Sequence, residues 1–243
     1  MSDSATSERI LVLIPAKAGS VRLPRKNIRP LNGVSLLERT IKRAQVLDFV
    51  TRICVSTEDE EVARQATDLG IEVPFMRPDR LARDPAGVVD VALHALDWFF
   101  EQRGETYDTL IILLPTSPFC CAKDVSEALS LYRDKQVEFL MSVAREVHSP
   151  LSSLILRNGE LSPLHPEWIN STGAKAAGDV PVLVRANGAV TIVNVKAFKR
   201  EQNYYGYPLA AYEMPWERSI DIDTELDFQF AEFLASRIDG LLE

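Results

Sequence analysis

Residues Ile10 to Asn27 read ILVLIPAKAGSVRLPRKN. The first five, Ile10 to Ile14, form an unbroken run of Ile, Leu and Val, closed by Pro15. A short continuous apolar run of this kind is how a strand covered on both faces reads. The chain then turns abruptly polar. Between Lys17 and Arg29 it carries five cations, Lys17, Arg22, Arg25, Lys26 and Arg29, in a protein of formal net charge −8. In an open α/β sheet this loop would sit beyond the strand's carboxyl end, where such sheets bind ligands.

The rest of the chain fits that frame. Further buried-strand candidates are Arg52–Ser56 (RICVS), Thr109–Leu114 (TLIILL), Phe139–Ala144 (FLMSVA) and Ala189–Asn194 (AVTIVN). Helical patterns separate them. In Leu37–Leu47 the residues Leu37, Ile41, Ala44 and Leu47 share one stripe. Thr57 and Glu60 have capping-box spacing, and the helix they open stops at Gly70. Val88–Phe100 and Lys123–Arg133 read as helices. A last helix from Thr224 is expected to turn Leu226, Phe230, Phe233 and Leu234 inward. The alternation predicts an α/β fold with a parallel or mostly parallel sheet and right-handed crossovers. His148–Arg185, rich in Pro, Gly and Ser, breaks the rhythm. It is too long for a structureless loop in a compact domain and is read as an arm, a lid or a subunit contact.

The chain has 243 residues, 46% hydrophobic and 26% charged, which is globular composition and suits one large or two small domains. The polar start, MSDSATSER, is expected to be frayed and has no apolar signal segment. No run approaches the length of a membrane span. A broad basic face for nucleic acid is excluded by the acidic balance. Three cysteines, Cys54, Cys120 and Cys121, follow no disulfide or metal spacing and suit a reducing cytoplasm. The local cations therefore call for a small anionic partner, or serve as a solvated basic surface.

Three polar stretches follow predicted strands and should converge at one sheet edge. The first is the basic loop, where Gly19 and Ser20 let backbone approach a ligand and the cations can neutralise phosphates. It matches neither a Walker A loop nor a G-x-G-x-x-G fingerprint. The second is LLPTSPF (Leu113–Phe119), a stiff turn offering the hydroxyls of Thr116 and Ser117. The third is SIDIDTELDF (Ser219–Phe228). Asp221 and Asp223, spaced i, i+2, face one side if the segment is extended. Such a pair either caps the following helix or holds Mg²⁺ alongside substrate phosphates. Taken together, the three are the equipment of phosphoryl or nucleotidyl transfer, which is positioning plus charge neutralisation.

At this level the motifs IPAKAGSVRLPRKN, RPDRLARD, LLPTSPF, RANGAV and DIDTELDF resemble, in order, the acylneuraminate cytidylyltransferases, from Ile10 to about Glu232. The resemblance implies a Rossmann-like α/β nucleotidyltransferase fold, a mostly parallel sheet with helices on both faces. It implies one domain, 1–243, with 148–186 as an inserted dimerisation and substrate arm in a homodimer. The implied reaction joins CTP to a 2-keto-3-deoxy acid sugar, with Mg²⁺ as cofactor, in the cytoplasm and without nucleic acid or membrane. Lys26, Lys17 and Asp223 would be catalytic. Ala16, Lys17, Ser20, Lys26, Asn27, Arg77 and Asp84 would bind the nucleotide, Thr116, Ser117, Arg185 and Asn187 the acceptor, and Asp221 and Asp223 the metal. Asp223 or a water would take the acceptor's proton.

The departures from that family fall on the acceptor side. Leu114 and Cys120 replace a Gln and an Arg, Ser152 a Lys, and Thr191 an aromatic residue. An expected Arg falls near Ala177, with Lys175 close by. The expectation is a CMP donor half kept intact and an acceptor other than ordinary N-acetylneuraminic acid. A Kdo-type or non-sugar acceptor, or a binding protein on the same fold, are the rival readings. His94 is read as structural. Cys120 and Cys121 could line the site but lack partners for nucleophilic catalysis. Trp216 is read as packing or a dimer contact.

Overall fold

A computed structural model describes residues 8–20, 22–170, 173–174, 181–238 and 240–242. In chain order the elements are β1 (Ile10–Pro15), β2 (Pro30–Leu31), β3 (Val34–Ser35), α1 (Leu36–Gln45), β4 (Arg52–Ser56), α2 (Glu60–Asp68), α3 (Val88–Arg103), β5 (Thr109–Ile112), α4 (Ala122–Lys135) and β6 (Phe139–Arg145). There follow β7 (Leu154–Arg157), β8 (Glu160–Pro163), β9 (Ile169–Asn170), β10 (Gly173–Ala174), β11 (Val184–Asn194), α5 (Val195–Glu201), β12 (Leu209–Glu213) and α6 (Glu225–Arg237).

One sheet of six strands runs β12-β6-β11-β5-β1-β4. β1 pairs parallel with β4 and β5, and β12 parallel with β6. The exception is β11, antiparallel to both β5 and β6. The reason is connectivity. A parallel neighbour needs a crossover, usually a helix, and the described residues between β6 and β11 supply only short strands and turns. The chain returns beside the strand it left.

The alternation within β1 explains its unbroken apolar run. Ile10, Val12 and Ile14 point into a cluster with α1, α2 and α4, while Leu11 and Leu13 point into another with α3 and α5. Helices thus cover both faces. A third cluster, including Leu23, Phe119, Ile222, Phe228 and Leu234, fastens α6 against the basic loop. This cluster brings residues far apart in sequence to one edge.

Three expectations are corrected. The cap of α2 is Asp59, whose carboxylate accepts from the N–H groups of Glu61 and Val62 at 2.9 Å each. Thr57 is instead fully buried and bridges to Met76. On α6 the buried residues are Phe228, Ala231 and Leu234, whereas Leu226, Phe230 and Phe233 are exposed. The helix carries two apolar stripes, and that of Phe228 packs into the third cluster, with Arg29 stacked on the Phe228 ring at 3.8 Å. The arm, as expected, is not structureless, for β7 and β8 form a hairpin. Finally, the amino-terminal segment is tied down as early as Glu8 and Arg9. Thr109 and Arg133 donate to the Glu8 carboxylate, and the Arg9 N–H donates to Asp108. Residues 1–7, and Lys175 and Ala177 of the arm, lie outside the described residues.

Candidate functional site

The three strand-end stretches meet in one cleft of about 240 Å³. Its lining includes Lys17, Lys26, Asn27, Arg77, Leu114, Thr116, Asp221 and Asp223.

Lys26 opens a tight turn, 26–28, entered through Arg25 in the left-handed region at φ 58°. The side chain is nearly buried, and its Nζ donates to Asp223 Oδ1 at 2.8 Å and to the Ile222 carbonyl at 3.0 Å. Arg22 takes the other oxygen of Asp223 at 2.6 Å. Burial pushes the Asp223 carboxyl up, but the Lys26 hydrogen bond and the charges of Lys26 and Arg22 outweigh it, leaving it below the ordinary aspartate value. Asp223 and Thr224 are themselves positioned by the start of α6. Their N–H groups donate to Asp227 at 3.1 and 2.7 Å, and the Thr224 hydroxyl caps the helix.

Asp221 has the opposite character. Burial, the largest cause, and the charge of Asp223 raise its carboxyl above the usual value, against a hydrogen bond from Thr116. The Ile222 N–H donates to the Thr116 carbonyl at 2.8 Å, locking the segment to the PTSP turn. Arg43, buried on α1, holds that turn from behind by donating to the carbonyls of Ser117 and Cys120. Gly188, at φ +73°, lets β11 pass close by. A Cβ there would lie 3.3 Å from Leu114 Cδ1 and 3.9 Å from Asp221 Oδ2.

The cations of the opening loop divide into two sets. Arg22, Arg25 and Arg29 are paired with Asp223, Glu61 and Glu225. Lys26 and Lys17 face the cleft, and no acid among the described residues pairs with Lys17. Asn27 donates to the Lys17 carbonyl at 2.8 Å, which leaves its buried Oδ1 without a partner. Ser117 Oγ is likewise buried and unpartnered. Asn27 lines the cleft, so its orphaned oxygen fits a polar ligand, whereas Ser117 is fully buried and lines neither this cleft nor the cavity beside it.

Other expected residues sit as follows. Arg77 is buried, donates to the Ser56 hydroxyl at 3.1 Å and lies 3.8 Å from Glu58. Ala16 turns its methyl into the core and spends its N–H on the Ser56 carbonyl at 2.9 Å. Ser20 and the exposed Asp84 are not in the cleft lining, although Ala86 and Gly87 are. Asn187 is buried and fully engaged, accepting from Ser142 and Ala189 and donating to Met214 and Ser219. It shapes the Gly188 turn. Arg185 is exposed, 3.9 Å from Glu146. It lines a second cavity of about 410 Å³ that shares Asp221 and Asp223 with the cleft. Cys120 is buried and its thiol pushed up to about 11, and Cys121 caps α4, so neither is poised for chemistry. His94 packs edge-on to Phe75 at 4.7 Å, a structural role as read from sequence.

Two contributors gave no local signal in the sequence. Glu58 accepts from the Ala18 N–H at 2.8 Å and approaches Arg77, so it ties the basic loop to the far wall. Arg43 reaches the site from 74 residues away. Only the fold brings either one there.

The donor set suits a hard divalent cation. Asp221 has no cationic partner within salt-bridge distance among the described residues, and the hydroxyl of Thr116 lies against it. Among those residues no group of three or more His, Cys, Asp and Glu forms a complete cage. Two carboxylates with the remaining positions left to phosphate oxygens and water is the Mg²⁺ pattern.

The cytidylyltransferase family profile matches residues 11–159. The chain belongs to that family. Among its curated relatives, the CMP-N,N'-diacetyllegionaminic acid synthase of Legionella pneumophila is 29% identical over 240 residues, covering 93% of this chain and 96% of the relative. The N-acylneuraminate cytidylyltransferase of Escherichia coli is 30% identical over 224 residues, which span 92% of this chain but 51% of that protein. In fold, this cytidylyltransferase is similar to a CMP:2-keto-3-deoxy-manno-octonic acid synthetase solved with CTP. The TM-score is 0.69 at 16% identity, over 95% of this chain and 99% of the other. The resemblance read from the motifs is borne out at the level of family and fold. No helix among the described residues is long and apolar enough to cross a membrane.

Proposed function

We propose that the protein transfers CMP from CTP to the anomeric hydroxyl of a 2-keto-3-deoxy acid sugar, releasing pyrophosphate. The observation that carries this reading is the Lys26–Asp223–Asp221 assembly, where a buried lysine and two unlike carboxylates meet in the wall of the cleft. Lys17 and Lys26 receive the triphosphate and offset the charge that builds on its oxygens during in-line attack. Thr116 orients Asp221, and Asn27 and Arg77 wall the nucleotide side. Mg²⁺, held at Asp221 with Asp223 beside it, would add Lewis-acid neutralisation of the phosphates. Asp223 is held ionised by two cations and is a weak proton acceptor. This argues against it as the base and assigns it to holding Lys26. The relatives named for nonulosonic acids and the kept donor-side residues support a CTP enzyme, and the free thiols suit a cytoplasmic one.

Pyrophosphate release with each of the four NTPs against a panel of eight- and nine-carbon keto acids tests the proposal. CTP with at least one acid should turn over, and only with a divalent cation. Preference for another nucleotide, or no turnover with any pair, would refute it.

A further inference from the structure

We infer that Glu58 is a positioning residue for the transfer reaction: it clamps the Lys17–Ala18 peptide so that the Lys17 ammonium is presented to the triphosphate. The inference rests on the proposed function and adds to it a residue outside the cleft lining. One peptide unit carries it. The Lys17 carbonyl accepts from Asn27 Nδ2 at 2.8 Å, and the N–H at the other end of that peptide, on Ala18, donates to Glu58 Oε1 at 2.8 Å. The Gly19 N–H approaches the same oxygen at 3.5 Å. The peptide plane is therefore gripped on both edges by side chains from different parts of the chain, Asn27 from the turn 26–28 and Glu58 from the turn between β4 and α2. What remains free of Lys17 is its side chain, which lines the cleft with no acid paired to it among the described residues.

Glu58 stands on a fixed base. The Asp59 N–H donates to Thr57 Oγ1 at 3.1 Å, and the Arg77 N–H donates to the Thr57 carbonyl at 2.7 Å. The second oxygen of Glu58 is buried, accepts no hydrogen bond among the described residues, and lies 3.8 Å from Arg77 Nη1. That separation is an ion pair without a hydrogen bond, so the close contact of Glu58 is with the loop and not with the guanidinium. The amides of Ala18 and Gly19 are also turned to Glu58 rather than left to a phosphate, as successive amides are in an anion nest. Charge neutralisation at this loop falls to the lysine. A lysine side chain loses much rotamer freedom when it closes on an anion, and a backbone already held lowers what binding must order. Without Glu58, Lys17 would approach the triphosphate from a loop tethered on one edge only.

Calorimetric binding of inorganic triphosphate and of CTP to the full chain, with Mg²⁺ present, tests the clamp apart from turnover. Glu58→Asp keeps the charge but is one methylene shorter, and it should weaken both ligands by about 10-fold. Glu58→Gln keeps the reach and an acceptor oxygen and loses the charge; it should bind both within about 3-fold of wild type. In a Lys17→Ala background, Glu58→Asp should weaken binding by less than about 2-fold more, because the clamp acts through that lysine. In the transfer assay Glu58→Asp should raise KM for CTP and leave KM for the acceptor acid unchanged; a merely structural role would lower the melting temperature and disturb both. Unchanged triphosphate affinity in Glu58→Asp, a loss in Glu58→Gln as large as that in Glu58→Asp, or a loss that persists in full without Lys17 would overturn the clamp. Weakened triphosphate binding in a chain that transfers no CMP upholds the clamp and refutes the transfer reading alone; turnover of CTP with an affinity unmoved by Glu58→Asp does the reverse.

Discussion

Lys26 is the residue on which most of the site's electrostatics turn. It pairs with Asp223 and lines the cleft proposed to take the triphosphate. Binding of phosphate must therefore redistribute one ammonium between two anions. Lys26→Ala should cut kcat by roughly 10²–10³, the size expected when a preorganised charge is removed from the transition state. Steady-state kinetics check this, and wild-type kcat would remove Lys26 from the chemistry. Arg22→Ala is the control. Its side chain is 65% exposed, so its pair with Asp223 is worth at most about 1 kcal/mol to stability, and the melting temperature should barely move. The Asp221–Asp223 pair stood out in the sequence through its local i, i+2 spacing, whereas Lys26 was set apart from the loop's other cations only by the family resemblance. Asn187 was reached only through its motif: it lines the second cavity, while its amide is engaged by neighbours from β6, β11 and the 214–219 segment.

At the scale of elements, the turn 216–218 is pinned to α4 by one buried ion pair. The Asp124 side chain is 1% exposed and that of Arg218 33%. Burial pushes the Asp124 carboxyl up, but the donors of Arg218 and Cys121 outweigh it and hold the group below its ordinary value of 3.8. A depressed carboxyl contributes stability that is full above the unfolded value and is lost as pH falls through the folded one. Arg218→Ala leaves the carboxylate buried with too few partners. The cost should be about 2–3 kcal/mol, below the range for a fully buried pair because Arg218 is partly solvated. Because the unpaired carboxyl can then be protonated, the deficit should be larger near pH 7.5 than near pH 5. Denaturant titrations at both values check the sign; a deficit that grows toward acid would contradict it. None of this was readable beforehand. β12 and α5 are short and lack strong periodicity, and α6 offers two apolar stripes between which only tertiary packing chooses.

For the whole molecule, the α/β sheet followed from runs such as Ile10–Ile14, while the reversal of β11 did not, because the sense of a strand depends on what connects it. That connection is also where the molecule reaches outward. β6 and β11 are neighbours in the sheet, and the chain between them leaves as the β7–β8 hairpin. Leu156 pairs across it with Leu161, and Leu154 lies two residues from Leu156 on the same face. These three leucines are 52–68% exposed, and Val147 and Val182 near the base of the arm are exposed too. A two-stranded hairpin is marginal by itself, and an apolar face of this kind marks an interaction site. A second copy of the chain is the occupant always present at equal concentration, and a two-fold pairing would cover both hairpins at once. The expected assembly is therefore a homodimer built through the arm. Sedimentation at micromolar concentration should give the mass of two chains. The double change Leu156→Ser and Leu161→Ser should halve that mass while circular dichroism stays unchanged, because the hairpin lies outside all three buried clusters. A wild-type monomer, or a dimer that survives the double change, would place the interface elsewhere, with the exposed α6 stripe of Leu226 and Phe233 the next surface to probe.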